Sequence, residues 1–374
     1  MGPATAATAA AGPQEPLHQF AVYDGTSGGI GKIAVTNAIL GLLTLGIYRF
    51  WGKTNMRRYL WSRLTVLGDR LEYTGTPMEL LLGFIVAAVA MAGLSVGFIG
   101  LEFLSARYPL FGLLMIFYLL GFYFLIFFAV FRARRYRLLR TQWRGIRFSQ
   151  SGSATGYAFR AMGLMFLTGI TLGLTYPYMQ ARLQNYRTNN TWFGNRQLTF
   201  DGKASKLFWK WVLALVLVIP TLGISFLWYK VTEFRYFASR TRFGALSFHS
   251  TLETMKIFLI YLIFAVVFGI IWFSLLEVIG VFVGDLFNIG QPGAAEPFAN
   301  LSTVTIAITI AVSLVIVSLL NALQFILLIH PIVRAISETL LVKGTIDLDE
   351  IKQSDAERGG RGEGLADVLD VGAI

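Results

Sequence analysis

Apolar residues fall into two kinds of run along this chain. Four runs are long: Glu79–Leu104, Pro109–Phe131, Met255–Gly284 and Leu301–His330. Each exceeds the roughly 20 residues that a helix needs to cross a bilayer core. Others, Gly29–Leu43 and Lys206–Pro220, stop after about 15 residues, or roughly 22 Å of helix, short of the ~30 Å hydrocarbon layer. A polar stretch follows each short run; in the first, Arg49, Lys53 and Arg57 recur one turn apart and share a face. Between these helical stretches lie RLTVLGDRLEYTG, RTQWRGIRFSQSG, NTWFGNRQLTFDG and RTRFGALSFHS. A glycine between Thr- and aromatic-rich arms predicts a β-hairpin in each.

The runs are joined by a recurring phrase. Thr-Leu-Gly opens TLGIYRFWGKTNMRRY at Thr44, TLGLTYPYMQARLQNY at Thr171 and TLGISFLWYKVTEFRY at Thr221. Each phrase ends on a tyrosine, Tyr59, Tyr186 or Tyr236, preceded by Arg58, Asn185 or Arg235, and a glycine follows at Gly68, Gly194 or Gly244. Arg135, Tyr136, Gly145 and Phe148 repeat the second half without Thr-Leu-Gly. Self-similarity in fixed order predicts a repeated supersecondary unit, and five units fit, starting near residues 18, 71, 147, 198 and 246. Gly46, Gly173 and Gly223 are the expected left-handed residues of tight helix–helix turns. The Arg-Tyr ends read as interfacial anchors, an aromatic ring beside a snorkelling cation.

The fold class expected is an all-α polytopic membrane protein. Its helix-pair units combine long transmembrane helices with short, re-entrant ones, and carry small cytoplasmic β-hairpins. Residues 1–17 are expected to be a disordered tail, 18–345 the membrane domain of about five strand–helix–helix units, and 346–374 an acidic, largely disordered tail. Ile346, Leu348 and Ile351 could add one last edge strand or short helix. Composition agrees with a membrane protein: 55% of the 374 residues are hydrophobic and 14% charged, against about a quarter charged in soluble domains.

Charge bears on orientation. Arg132, Arg134, Arg135, Arg137, Arg140, Arg144 and Arg147 crowd one stretch without an acid, whereas residues 284–300 hold Asp285 and Glu296 and no Lys or Arg. The positive-inside rule then puts the hairpins and both termini in the cytoplasm. If short helices crossed singly, the hairpin at 190–202 would lie opposite its neighbours. Pairs that dip and return keep all four hairpins inside and let their strands pool in a β layer, and this is the arrangement expected. The alternative of single crossings stays open at this point.

A short aromatic segment, FAVYDG at Phe20–Gly25, precedes NAILGLLTLGIYRFWGKTNMRRYLWSRL and then EYTGTPMELLLGF. Together these resemble the YjgN family of bacterial inner-membrane proteins, built on a domain of unknown function. The resemblance runs from about Phe20 to Asp349 and is most specific over Asn37–Leu82. It implies an inner-membrane location and no reaction.

Catalysis has little to stand on. The three histidines are scattered, and cysteine is absent, which excludes thiolate metal sites and a cysteine nucleophile. No P-loop, His-Glu-x-x-His or Gly-x-Ser-x-Gly occurs, so no enzyme activity, metal or cofactor is expected. The polar candidates within the long helices are Glu102, Glu277, Asn321, Gln324 and His330. They line a solute or proton path in one reading; interfacial placement of the acids and helix–helix hydrogen bonds from the amides account for them in the other. The seven arginines are candidates to hold anionic headgroups or a phosphorylated ligand, although orientation of the chain by itself accounts for the run. The expected partners are the bilayer and anionic lipid, not nucleic acid; no protein partner is named. The function expected is transport- or channel-type activity for an unknown solute, with a non-transporting protein whose basic face binds anionic lipid or a protein partner as the alternative.

Overall fold

The computed structural model describes residues 16–287, 311–312, 315–316 and 318–353. The chain makes five passes, each strand–helix–helix–strand. β1 (His18–Gln19) and β2 (Ala21–Tyr23) lead into α1 (Ser27–Leu43), α2 (Arg49–Ser62) and β3 (Leu64–Val66). β4 (Asp69–Tyr73), α3 (Pro77–Arg107), α4 (Leu110–Leu139) and β5 (Thr141–Trp143) form the second pass. β6 (Ile146–Gln150), α5 (Ala154–Ile170), α6 (Tyr176–Asn189) and β7 (Thr191–Phe193) form the third. β8 (Arg196–Phe200), α7 (Ser205–Leu217), α8 (Ile224–Ser239) and β9 (Thr241–Phe243) form the fourth. The fifth has β10 (Leu246–Ser250), α9 (Thr254–Phe287), a π-helical stretch Gln324–Ile329, α10 (His330–Thr339) and β11 (Leu340–Lys343). Among the described residues, four helical segments are long and apolar enough to cross a membrane: α3, α4, Thr254–Phe273 and Ser318–Thr339.

Local chemistry fixes where these elements start and turn. Thr26, Thr76 and Ser153 cap α1, α3 and α5, their hydroxyl oxygens accepting from the N–H of Gly29, Glu79 and Gly156. In the three short pairs the turn glycines Gly46, Gly173 and Gly223 all have φ +87°. The preceding threonine serves both helices. Thr44 Oγ1 donates to the Leu40 carbonyl at 2.7 Å and accepts from the Tyr48 N–H at 2.9 Å. Thr221 does the same with Leu217 and Ser225. Near the last pass, Pro331 has no N–H to offer the preceding turn, and the chain widens to π over Gln324–Ile329 immediately before it.

The strands overturn the all-α expectation. They do not remain separate hairpins but join in one 11-stranded antiparallel sheet, ordered β1-β11-β10-β9-β8-β7-β6-β5-β4-β3-β2. The two ends of that order are neighbours in sequence. β1 pairs with β11 and β2 with β3. Phe20 between them donates its N–H to Leu340 at 3.0 Å and accepts from the Leu67 N–H at 3.1 Å. The sheet is thus nearly closed into a barrel. A lone hairpin is marginal in water; ring pairing gives every strand from β3 to β11 two neighbours. The four hairpin connections are two-residue loops, as the registers Val66↔Asp69, Trp143↔Ile146, Phe193↔Arg196 and Leu246↔Phe243 show.

Antiparallel alternation places every helix pair at one end of the barrel and every hairpin turn at the other. Inside, Ala21, Val66, Trp143, Phe193, Phe243, Leu246 and Val342 form a buried apolar core. The Trp143 and Phe193 rings lie 5.0 Å apart, and the Trp143 indole N–H donates to the Val66 carbonyl at 3.2 Å. Ile346, Leu348 and Ile351 form neither strand nor helix; they pack against this core from the turn end. Ion pairs fasten that segment to the hairpin loops: Arg144 to Asp349 at 3.3 Å and Arg196 to Glu350 at 2.8 Å. Phe193 is 1% exposed, so Phe193→Ala should cost about 3–5 kcal/mol, read as a lower denaturation midpoint in detergent; the same change at the half-buried neighbour Trp192 should cost less.

Candidate functional site

The junction between barrel and helices carries most of the polar chemistry. On its way back to the barrel, the returning helix of each pass packs over the next pass's first strand: α2 over β4, α4 over β6, α6 over β8, α8 over β10 and α10 over β2. The Arg-Tyr positions lie at these bases, and there they fasten protein to protein. Tyrosine ties its own pass together. The Tyr59 hydroxyl accepts from the Thr26 N–H at 3.1 Å and donates to the Thr26 carbonyl at 3.3 Å. Tyr186 does this at Ser153 (2.9 and 3.0 Å) and Tyr236 at Lys203 (2.8 and 3.0 Å). Arginine reaches forward into the next pass. Arg58 donates to the Gly75 carbonyl at 3.0 Å, and Arg135 donates to that of Gly152. Asn185 keeps the function by donating to the Phe200 carbonyl at 3.0 Å. Tyr136 departs: its hydroxyl donates to Glu79 at 2.8 Å, and Arg140 pairs with the same carboxylate.

Among the described residues, Glu102 lies apart from the other polar candidates of the long helices. Glu102 is exposed, 25 residues beyond the start of α3, roughly 37 Å up the helix at 1.5 Å per residue. The Glu277 side chain lies outside the described residues. Asn321 and Gln324 sit a turn apart ahead of His330. His330 is buried at barrel level, where Nδ1 shares a 3.0 Å hydrogen bond with the Tyr23 hydroxyl and Nε2 lies 3.3 Å from Ser27 Oγ. These bonds cross from the last pass to the first, so His330 acts in closing the ring.

The seven arginines serve several sites. Arg132 is exposed, with its guanidinium 5.9 Å from the Phe128 ring. Arg144 sits in a hairpin loop between Asp69 and Asp349, and the Arg147 N–H donates to Gln353. Arg134 turns inward, its guanidinium 3.5 Å from Thr191 Oγ1. Arg137 and Arg187 are its charged neighbours, and Tyr157 lies close to both Arg134 and Arg187. Thr191 pairs in register with Gln150. In the first pass the corresponding residue, Arg57, donates to the Tyr73 hydroxyl at 3.2 Å. Sequence reasoning missed Gln150, Tyr157, Arg187 and Thr191. A signal existed once the units are aligned on their strands: Tyr157 stands where other passes have Ile30, Leu80, Leu207 and Ile257.

A family model described as "Bacterial protein of unknown function (DUF898)" matches residues 18–231 and 198–335. The chain belongs to this family. Curated relatives are inner membrane protein YjgN of Escherichia coli O157:H7, 28% identical over 249 residues, and of Escherichia coli strain K12, 28% identical over 254 residues. Each alignment covers 64% of this chain and 54% of the relative, so the chain spans about half the length of these curated relatives. YjgN of Salmonella typhimurium is 29% identical over 131 residues, 34% of this chain and 30% of that one. No solved structure matches. With its four candidate spans, this YjgN-family chain is a membrane protein.

The closure site makes a pH prediction. Burial, and then the nearby Tyr59, push the Tyr23 hydroxyl from 10.0 up to about 12. A neutral hydroxyl favoured by folding stabilises fully below pH 10, and that contribution is lost as pH rises through 12. Denaturation midpoints should therefore fall between pH 10 and 12, and Tyr23→Phe should flatten that decline.

Proposed function

We propose that this chain is a multi-pass inner-membrane protein whose cytoplasmic barrel presents a basic face to anionic lipid and conducts no solute. The five passes are copies of one unit in this reading. Two overlapping family matches and the recurring Tyr59, Tyr186 and Tyr236 bonds support it.

The observation that carries the lipid reading is a change of surface at the junction. Lys32, Arg160, Lys206 and Lys210 lie exposed within the first two turns of α1, α5 and α7. Beyond them the helices expose Val86, Val89, Val96, Ile99 and Phe103 on α3 and Phe166 and Ile170 on α5. Cations below an apolar surface match headgroups below acyl chains; a Lys or Arg near an anionic leaflet is worth about 1 kcal/mol. The positive-inside rule puts that end in the cytoplasm, together with both ends of the described chain.

Transport receives less support. The barrel is filled by its own aromatics and covered by residues 346–351 at one end. At the other, Tyr23, Tyr73, Gln150, Phe200 and Ser250 are all buried. Glu102 and His330 stand at opposite ends of the helices.

Two measurements test this. Single cysteines at Ser149, Asn195 and Ser247 should label with a membrane-impermeant maleimide in inverted vesicles and not in intact cells; labelling of Asn195 from outside would falsify the common orientation. In nanodiscs, phosphatidylglycerol should raise the thermal midpoint over phosphatidylcholine at low salt, and the gain should shrink with salt. Replacing Lys32, Arg160, Lys206 and Lys210 together by Gln should remove the gain. An unchanged gain would sink the lipid reading.

A further inference from the structure

We propose that the hairpin end of the barrel is a docking surface for an acidic–apolar peptide of a partner protein, and that residues 346–353 occupy it as a strap which such a peptide displaces. The helices rise from the other rim, so this end is turned to the aqueous side. The proposal goes beyond the lipid reading and does not depend on it.

Three observations carry it. First, the strap is seated by its pattern of apolar and acidic residues. Ile346, Leu348 and Ile351 pack against the barrel core, and Ile351 is 4% exposed. Asp347, Asp349 and Glu350 between them are exposed. Cations from two hairpins meet the acids: Arg144 lies 3.3 Å from Asp349 and Arg196 2.8 Å from Glu350. The same two hairpins also bind the end of the strap. Asn195 Oδ1 accepts from the Lys352 N–H at 3.3 Å, and the Arg147 N–H donates to Gln353 Oε1 at 2.8 Å. An apolar mouth edged by arginine and amide groups favours a segment in which hydrocarbon alternates with carboxylate.

Second, the strap is held by the surface and is not part of the sheet. β11 already pairs with β1 and β10. Among the described residues, no backbone-to-backbone hydrogen bond joins 346–353 to a strand. Its own bonds are local: the Ile351 N–H donates to the Leu348 carbonyl at 3.2 Å, and the Asp349 N–H to the Asp347 carboxylate at 2.9 Å. The acids of its ion pairs are exposed, Asp349 at 89% and Glu350 at 63%, and exposed pairs hold weakly. The strap can therefore leave without unpairing a strand. Its hinge is Gly344, left-handed at φ +97°, where a Cβ would lie 2.6 Å from the Ala245 carbonyl oxygen.

Third, two hairpin turns leave room for the strap where it passes them. A Cβ at Gly68 or Gly145 would meet nothing within 4 Å. A Cβ at Gly194 would run into the Lys352 carbonyl oxygen and lie 3.0 Å from Ile351 Cγ2; one at Gly244 would lie 3.1 Å from Ile346 Cδ1. Such close approach of a second backbone requires that the side chain be missing.

The strap's own sequence supplies the probe. The chain has no cysteine, so Ile351→Cys in the full chain carries a single reporter. In detergent, a soluble maleimide should label it at least about 10-fold more slowly than Asp347→Cys, because only the open fraction reacts. The synthetic peptide TIDLDEIKQ, residues 345–353, should speed that labelling by competing for the surface; a peptide of the same composition in scrambled order should not. A dye-labelled copy of the peptide should bind the full chain carrying Leu348→Asp and Ile351→Asp at least about 10-fold more tightly than the unaltered chain, since a closed strap lowers apparent affinity by the open fraction. If that variant does not fold, Asp349→Lys with Glu350→Lys, both at exposed positions, carries the test. Adding Gly194→Ala to either variant should abolish binding by blocking the path. Gly145→Ala, left-handed too at φ +74° but with open space, should leave binding intact and so controls for backbone strain. Equal labelling at positions 347 and 351, no acceleration by the peptide, or equal binding of the scrambled peptide overturns the proposal. Dimerisation of the unaltered chain that the strap variants lose would mean that two copies exchange straps, and overturns a separate partner.

Discussion

The stretch His18–Tyr23 holds the architecture together, because one short length of backbone completes both edges of the sheet. β1 serves β11, β2 serves β3, and Phe20 bonds in both directions. An open sheet of such short strands would present two unpaired edges, a template for aggregation. Closure removes them and also dictates direction. In an antiparallel ring with two-residue turns below, every longer connection must leave from above. All five helix pairs therefore rise from one rim, constrained at their bases and free in length. That freedom lets α3 and α4 extend to 31 and 30 residues while α1 and α2 stop at 17 and 14.

Bases that carry such different helices need fastening that does not depend on helix length. The Arg-Tyr pairs supply it with backbone partners: tyrosine to the start of its own pass, arginine or Asn185 to the next. Because the acceptors are carbonyls, a change in neighbouring side chains leaves the fastening intact. The inward-facing position beside each pair is free to vary and does. It runs Arg57, Arg134, Gln184, Phe234 and Val333 around the ring, from cation through amide to hydrocarbon. Charge at this position is thereby confined to the first two passes, while the last two close on apolar packing and the His330–Tyr23 bond.

Much of this was readable beforehand, and the boundary is physical. Long runs announce spans because hydrocarbon tolerates nothing else. Thr-Leu-Gly announces a turn because Thr and Gly supply its hydrogen bond and its φ locally. The hairpins were visible for the same reason. Ring closure was not: it pairs His18 with Val342, and three-residue strands carry too little pattern to name partners so far apart. The arginines misled in another way. Seven of them between Arg132 and Arg147 read as one basic patch, yet they are spread over helix, loop and strand, and so face the rim, the hairpin end and the interior in turn. Gln150 and Tyr157 needed the strand register before their departure from the other passes could be seen.

The tips of the short pairs bear on where those pairs sit. Leu45, Leu172 and Leu222 occupy left-handed backbone at φ 50°, 51° and 49°, a conformation that costs a non-glycine residue about 1–2 kcal/mol. Asn or Gly would remove most of that cost. Each leucine is instead among the most exposed apolar residues of the molecule, at 75%, 88% and 93%. In water such a residue gains nothing from its side chain. Transfer of a leucine side chain out of water is worth about 1.5–3 kcal/mol, enough to offset the backbone term. The same residue in the same strained position three times is therefore the choice expected of a turn that ends in hydrocarbon. A pair whose tip lies in the bilayer and whose base lies on the barrel enters and leaves by one face. In the proposed orientation that keeps the short helices on the side of the hairpins, and among the described residues it is the longer second and fifth passes that have the reach to meet the opposite surface.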